Sequence, residues 1–335
     1  MPQSWKNFRA TVPGPFLAAL GVAAGFWLFV AWDQSHWWRL KDDYSFGWLV
    51  PLFVIFVVHD RWPRILAVIG ACQVDGSPRA AGCHRWIVCI VLAGSLLAGT
   101  LFFLMGAFLR AGSGTTQPAT LALAVGSVGI LFPVIFLSAP DSAAPQPAGL
   151  FADTRVRLTA CFVFPILVWL ISAPLVDAFE SQLSLFLLRR VVTVVAFAFD
   201  TLGLPLQQQG NVLILPRGQV GVAEACSGIR SLTGCLFAGS FLAAVFLERG
   251  WKKIVLVVAA LFLAFATNLG RSLFLTAWAY RHGPEAIEGT VHDATGYAVL
   301  GLTVVGLFCL IPLLNLRLGA RSTVPARTPT SPDRT

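Results

Sequence analysis

Three residues in the last third of the chain carry side chains suited to one chemistry. They are Cys226 in V-A-E-A-C-S-G-I-R-S-L, Arg271 in N-L-G-R-S-L and His292 in V-H-D-A-T-G-Y. A cysteine nucleophile needs a neighbour that takes and returns a proton near neutral pH, which imidazole does. Attack on an amide builds a negative oxygen, and a fixed, poorly hydrated guanidinium stabilises it. The three together suit acyl transfer through a thioester, followed by capture by an amine or another nucleophile. Cys226 stands where a polar, turn-rich segment meets a long apolar run, and Ser227 is placed to cap a helix continuing to about Leu247. A thiol at a helix N-terminus feels the positive end of the dipole, which favours thiolate.

Each residue also has a plainer reading: a space-filling thiol, a solvated histidine, an arginine snorkelling to headgroups. Arg271 resists its plain reading most. It is the only charge between Lys253 and Arg281, and an arginine deep in a membrane span costs about 2.5 kcal/mol or more. Arg230, four residues after Cys226, either binds a carboxylate or steadies the site against Glu224 or Asp293. Glu224, Ser227, Asn268 and Asp293 complete the candidate supporting set with Arg230.

What positions these residues is a membrane bundle. Of 335 residues 56% are hydrophobic and 12% are charged, against roughly 25% charged in soluble domains. Mean hydropathy is +0.75. The net charge of +8 lies in short loops and tails, a topology pattern and not a nucleic-acid footprint. The seven cysteines form no C-x-x-C pair, which argues against a thiol oxidoreductase or a zinc ribbon. Cys83, His84 and Cys89 lack a fourth metal ligand, so neither a metal nor a cofactor is expected.

Apolar runs predict eight spans, at about Pro15–Trp32, Tyr44–Val58, Trp86–Leu109, Ala119–Leu137, Leu158–Ala173, Ser227–Leu247, Ile254–Trp278 and Asp293–Leu316. No signal-peptide cleavage pattern precedes the first, so it is expected to remain as a helix. Residues 33–43 and 59–85 read as loops, and 139–157 as a flexible Pro/Ala-rich linker. Asp177–Gly203 mixes apolar stretches with charges and reads as an interfacial or partly inserted helix. β-prone runs around Pro216-Arg217-Gly218 predict a hairpin. The expectation is an all-α polytopic protein, one integral membrane domain over 1–335 with flexible cytoplasmic tails at 1–14 and 317–335. It carries a small extracytoplasmic hairpin and an interfacial helix between spans five and six.

Counting lysine and arginine puts both ends in the cytoplasm. Cys226 then starts the sixth span on the outer side. Arg271 lies 18 residues beyond Lys253, about 27 Å along a helix, and so near the outer end of the seventh. His292 opens the eighth. The expected location is the cytoplasmic membrane, with the site facing outward and lipids as neighbours.

The segments A-C-S-G-I-R-S-L, N-L-G-R-S and H-D-A-T-G-Y-A-V, in this order, resemble the exosortase/archaeosortase family, as does the upstream D-D-Y-S-F-G-W-L-V-P-L. Phe46 stands where the family commonly has histidine, so no chemistry is assigned there. The resemblance covers about residues 40–310, and the soluble C-terminal domain of some relatives is not expected. It implies a multi-pass enzyme that cleaves C-terminal sorting signals of exported proteins: a short motif such as Pro-Glu-Pro, a transmembrane helix and a basic tail. It also implies Cys226 as nucleophile, Arg271 as transition-state stabiliser and His292 as acid/base, and a link to exopolysaccharide or surface assembly. Two other classes stay open: a transporter or permease binding an anionic substrate through Arg271 and Arg230, and a non-catalytic membrane scaffold.

Overall fold

The computed structural model describes residues 12–74, 78–80, 83–140, 146–221 and 229–315. Ten α-helices are assigned there: α1 (Gly14–Leu40), α2 (Val50–Val74), α3 (Cys83–Ser113), α4 (Gln117–Ser138), α5 (Thr154–Ala160), α6 (Val163–Ile171), α7 (Asp177–Thr201), α8 (Ile229–Phe246), α9 (Gly250–His282) and α10 (Thr290–Asn315). A 3-10 helix, Asp42–Leu49, joins α1 to α2. Among the described residues seven single helices are long and apolar enough to cross a membrane, and α5 with α6, bent by 42°, make an eighth if counted as one span.

Among the described residues, packing gives eight passes from one end of the bundle to the other, by a different set of helices. At one end, Gln34 of α1 donates to the Trp169 carbonyl of α6 (2.9 Å), Trp38 donates to the Ser172 carbonyl (3.0 Å), and Trp37 donates to Thr120 of α4 (3.0 Å). At the other, Phe16, Ile65, Ile69, Ile135 and Leu158 form one buried cluster. There Arg61 donates to the Cys161 carbonyl (2.6 Å) and the Ala244 carbonyl (2.8 Å). α2 therefore runs the full distance, although Asp60, Arg61 and Arg64, halfway along its sequence, keep it out of the apolar set. α7 passes the apolar test yet does not traverse. Asp177 at its start pairs with Lys41 at the end of α1, and Phe199 near its finish packs on Tyr280 near the end of α9. Both ends of α7 thus sit on the same side. The passes are α1, α2, α3, α4, the α5–α6 pair, α8, α9 and α10, so α1 starts and α10 finishes at the same end.

Several expected boundaries shift. Residues 33–40 are helical rather than loop, because Asp33 is buried against Arg110, which also lies over Trp32 (4.7 Å). Residues 59–74 continue α2, since Arg61 finds two carbonyls inside the bundle. The expected linker at 139–157 contains a strand, β2 (Gln146–Ala148), parallel to β1 (Pro78–Ala80), and the start of α5, capped by Asp153 accepting from the Arg155 amide. The hairpin is present as β4 (Val212–Leu215) and β5 (Gly218–Gly221), with a further strand, β3 (Gln207–Gln209), on its edge. It packs through Leu215 and Val220 on Ala279 and Ile287, beyond the site end of the bundle.

α3 and α4 approach at backbone contact. A Cβ at Gly126 would lie 2.4 Å from the Phe103 amide nitrogen, whereas one at Gly94 on α3 would meet nothing within 4 Å. Gly126→Val should lower stability in detergent by about 1–3 kcal/mol, as overpacking does, with Gly94→Val close to the parent in the same thermal unfolding assay.

Candidate active site

α9 and α10 are zipped from the far end upward. Lys252 donates to the Leu314 carbonyl, and the hydroxyls of Thr267 and Thr303 hydrogen-bond at 3.1 Å. α9 then continues past the start of α10. Gly283 and Gly289, with φ of 92° and 62°, bracket a 3-10 turn (Pro284–Ile287) that sends the chain back; positive φ is easy for glycine alone. This register sets His292, in the first turn of α10, against Arg271. Arg271 Nη2 lies 2.9 Å from His292 Nε2 and donates to the His292 carbonyl at 3.3 Å. Guanidinium nitrogens only donate, so Nε2 is the acceptor and the ring proton sits on Nδ1.

The pair lines a polar cavity of about 870 Å³. Arg230 faces it from the first turn of α8, Asp42 and Asp43 from the 3-10 helix, Lys41 from the end of α1, and Asp177 and Glu180 from α7. Arg230 pairs with Asp42 (3.1 Å) and Asp43 (3.2 Å), not with Asp293. Asp293 lines the same cavity. Lys41 bridges Asp177 (3.1 Å) and Glu180 (2.9 Å). Burial alone would lower the Lys41 pKa, but those two partners reverse the sign and hold it above its ordinary value. The hydrogen bond from Lys41 keeps Asp177 below the usual carboxylate range.

Cys226, with Glu224 and Ser227, lies outside the described residues. Asn268 is buried on α9, one turn before Arg271, and is not among the residues lining the cavity. Arg271, His292, Arg230 and Asp293 are thus brought together. The acidic wall was not expected as part of a site. Its signal was the D-D pair before Tyr44, and Glu180 in a segment read only as interfacial. Phe46, given no chemistry, lines the cavity and stacks on Phe237 at 5.1 Å.

Residues 37–309, from the last turn of α1 into α10, match the family described as transmembrane exosortase (Exosortase_EpsH). The chain belongs to the exosortase family. Exosortases are membrane cysteine transpeptidases, so membership supports a membrane transpeptidase or protease role. No curated protein and no solved structure was found to match the chain. In this exosortase the family match includes the 3-10 helix, whose Tyr44 accepts from the Leu175 amide (3.0 Å) and whose phenol is pushed up to about 12 by burial.

That contact ties the acidic wall to the end of α6. Tyr44→Phe should cost about 1–3 kcal/mol by leaving a partly buried amide unpaired, read as a lower unfolding midpoint in detergent. Arg230→Ala, which breaks only exposed ion pairs, should cost under about 1 kcal/mol in the same assay.

Proposed function

We propose that this exosortase cleaves the C-terminal sorting signal of exported, membrane-anchored proteins through a thioacyl intermediate on Cys226, and passes the acyl group to an acceptor. The observation that carries the reading is the Arg271–His292 pair in a cavity that Ile229 also lines. Ile229 is three residues from Cys226, a chain reach of at most about 11 Å. The cavity's mixed charge, acids and bases facing one space, suits a peptide more than a small anion.

With Nε2 of His292 engaged by Arg271, imidazole has no lone pair for the thiol. On substrate entry the guanidinium turns to the scissile carbonyl oxygen, which frees Nε2. Nε2 then takes the Cys226 proton, and sulfur bonds to the carbonyl carbon. Arg271 holds the oxygen as it becomes negative. The C–N bond breaks with the imidazolium proton passing to the departing amine. The acceptor, an amine, another nucleophile or water, attacks the thioester; His292 takes its proton, and the thiolate leaves and is reprotonated.

Lysine and arginine counts favour the far end as cytoplasmic, so the site would face the outside of the cytoplasmic membrane, with the hairpin and α7 above it. The test is processing of a tagged precursor in cells. Cys226→Ala, His292→Gln and Arg271→Lys should each leave precursor uncleaved, the lysine variant because one point charge replaces a planar fork. Cleavage at the parent rate in Cys226→Ala would defeat the proposal.

A further inference from the structure

A second cavity, about 600 Å³, runs between α9 and α10 on the flank of the bundle. Its walls include Ala266, Gly270, Ala298 and Gly306. Phe274 and Leu302, at its edge, are 47% and 60% exposed, so it opens sideways rather than toward either end of the bundle. Arg271 is the one charged residue among those lining it, and Arg271 also lines the polar cavity. The guanidinium is therefore the wall between an apolar groove and the candidate active site.

We infer that this groove is the docking site for the transmembrane helix of the protein substrate, seated so that the residues preceding that helix enter the polar cavity over Arg271. The inference rests on the proposed function and adds the route by which substrate arrives. Three observations carry it. Small residues from two adjacent helices let a third backbone come close, which is how helices associate where no hydrophobic drive separates them from lipid. The groove shares Arg271 and Val299 with the polar cavity, so an occupant lies against the residue that pairs with His292. Finally, Arg271 has spare donors: Nη2 is taken by His292, but Nε is buried without a hydrogen-bond partner, and no acidic side chain pairs with Arg271 among the described residues. An apolar helix whose outer end offers peptide carbonyls, or a carboxylate, fits both the apolar walls and this unmet cation.

Gly270 and Gly301 provide the test. A Cβ at either meets nothing within 4 Å, so a side chain can leave the backbone at both without a clash, but only Gly270 lines the groove. The probe is a tagged reporter ending in Pro-Glu-Pro, an apolar helix and an arginine tail, expressed with the full-length protein. Gly270→Leu should slow cleavage about tenfold or more, a loss of roughly 1.4 kcal/mol of binding, while Gly301→Leu stays near the parent rate. Because Gly270 adjoins Arg271, a second measurement uses a photo-crosslinking residue at Leu302 in the Cys226→Ala protein. It should capture the reporter helix, and the same residue at Leu313, outside the groove, should not. Parent-rate cleavage in Gly270→Leu, or capture of lipid alone at Leu302, overturns the inference while leaving the proposed function intact. Capture of the helix by a protein whose parent never cleaves the reporter upholds the docking site and removes the enzymatic reading.

Discussion

A guanidinium keeps its charge at any physiological pH, and Arg271 sits on the face of α9 that meets α10, well before the helix ends. Such a charge must be given a partner by the fold or remain in contact with water. The fold does both: His292 accepts from it, and the polar cavity opens beside it. The surrounding features follow from that requirement. The threonine pair at 267 and 303 fixes how far α10 slides along α9, and the glycine-bounded turn lets α9 overshoot and return. α7 and the hairpin then pack on the overshoot, through Phe199 on Tyr280 and Val220 beside Ala279.

The bundle shows why apolarity and crossing are separate properties. α2 crosses while carrying charge because Arg61 reaches two main-chain carbonyls, one at the α5–α6 break and one on α8. Carbonyls at a bend are free to accept from elsewhere, so the 42° break in the fifth pass and the charge in the second pass satisfy one another. α7, apolar enough to cross, instead buries one stripe, Leu188, Val191, Val192, Val195 and Phe199, and leaves Arg189 and Arg190 on the other face. Its partners on α9 are Phe265, Leu269, Leu273 and Tyr280, along one side of that helix.

Much of this was legible in the sequence. Apolar runs placed the eight passes in order, the second from Tyr44–Val58 ahead of its charges, because a pass needs length and apolar composition. The hairpin was visible from its turn, and the reading of Asp177–Gly203 as a helix apart from the passes agrees with how α7 packs. Helix ends were less legible. Charges at 33 and 61 look like loop residues until their partners elsewhere in the bundle are known, and those partners lie more than 70 residues away. The meeting of Arg271 with His292 could be anticipated from helix length alone. The pairing of Arg230 with Asp42 and Asp43 could not, since nothing local links α8 to the segment after α1.

The central claim is that the Cys226 sulfur shares a pocket with Arg271 and His292. Thiol crosslinking tests it most directly, in a protein whose other six cysteines are replaced and which carries His292→Cys. A disulfide needs Cα atoms within about 7 Å, and the account predicts that mild oxidation, or the shortest bifunctional reagent, joins Cys226 to position 292. Linkage only by spacers approaching the bundle's depth, roughly 30 Å, would contradict it.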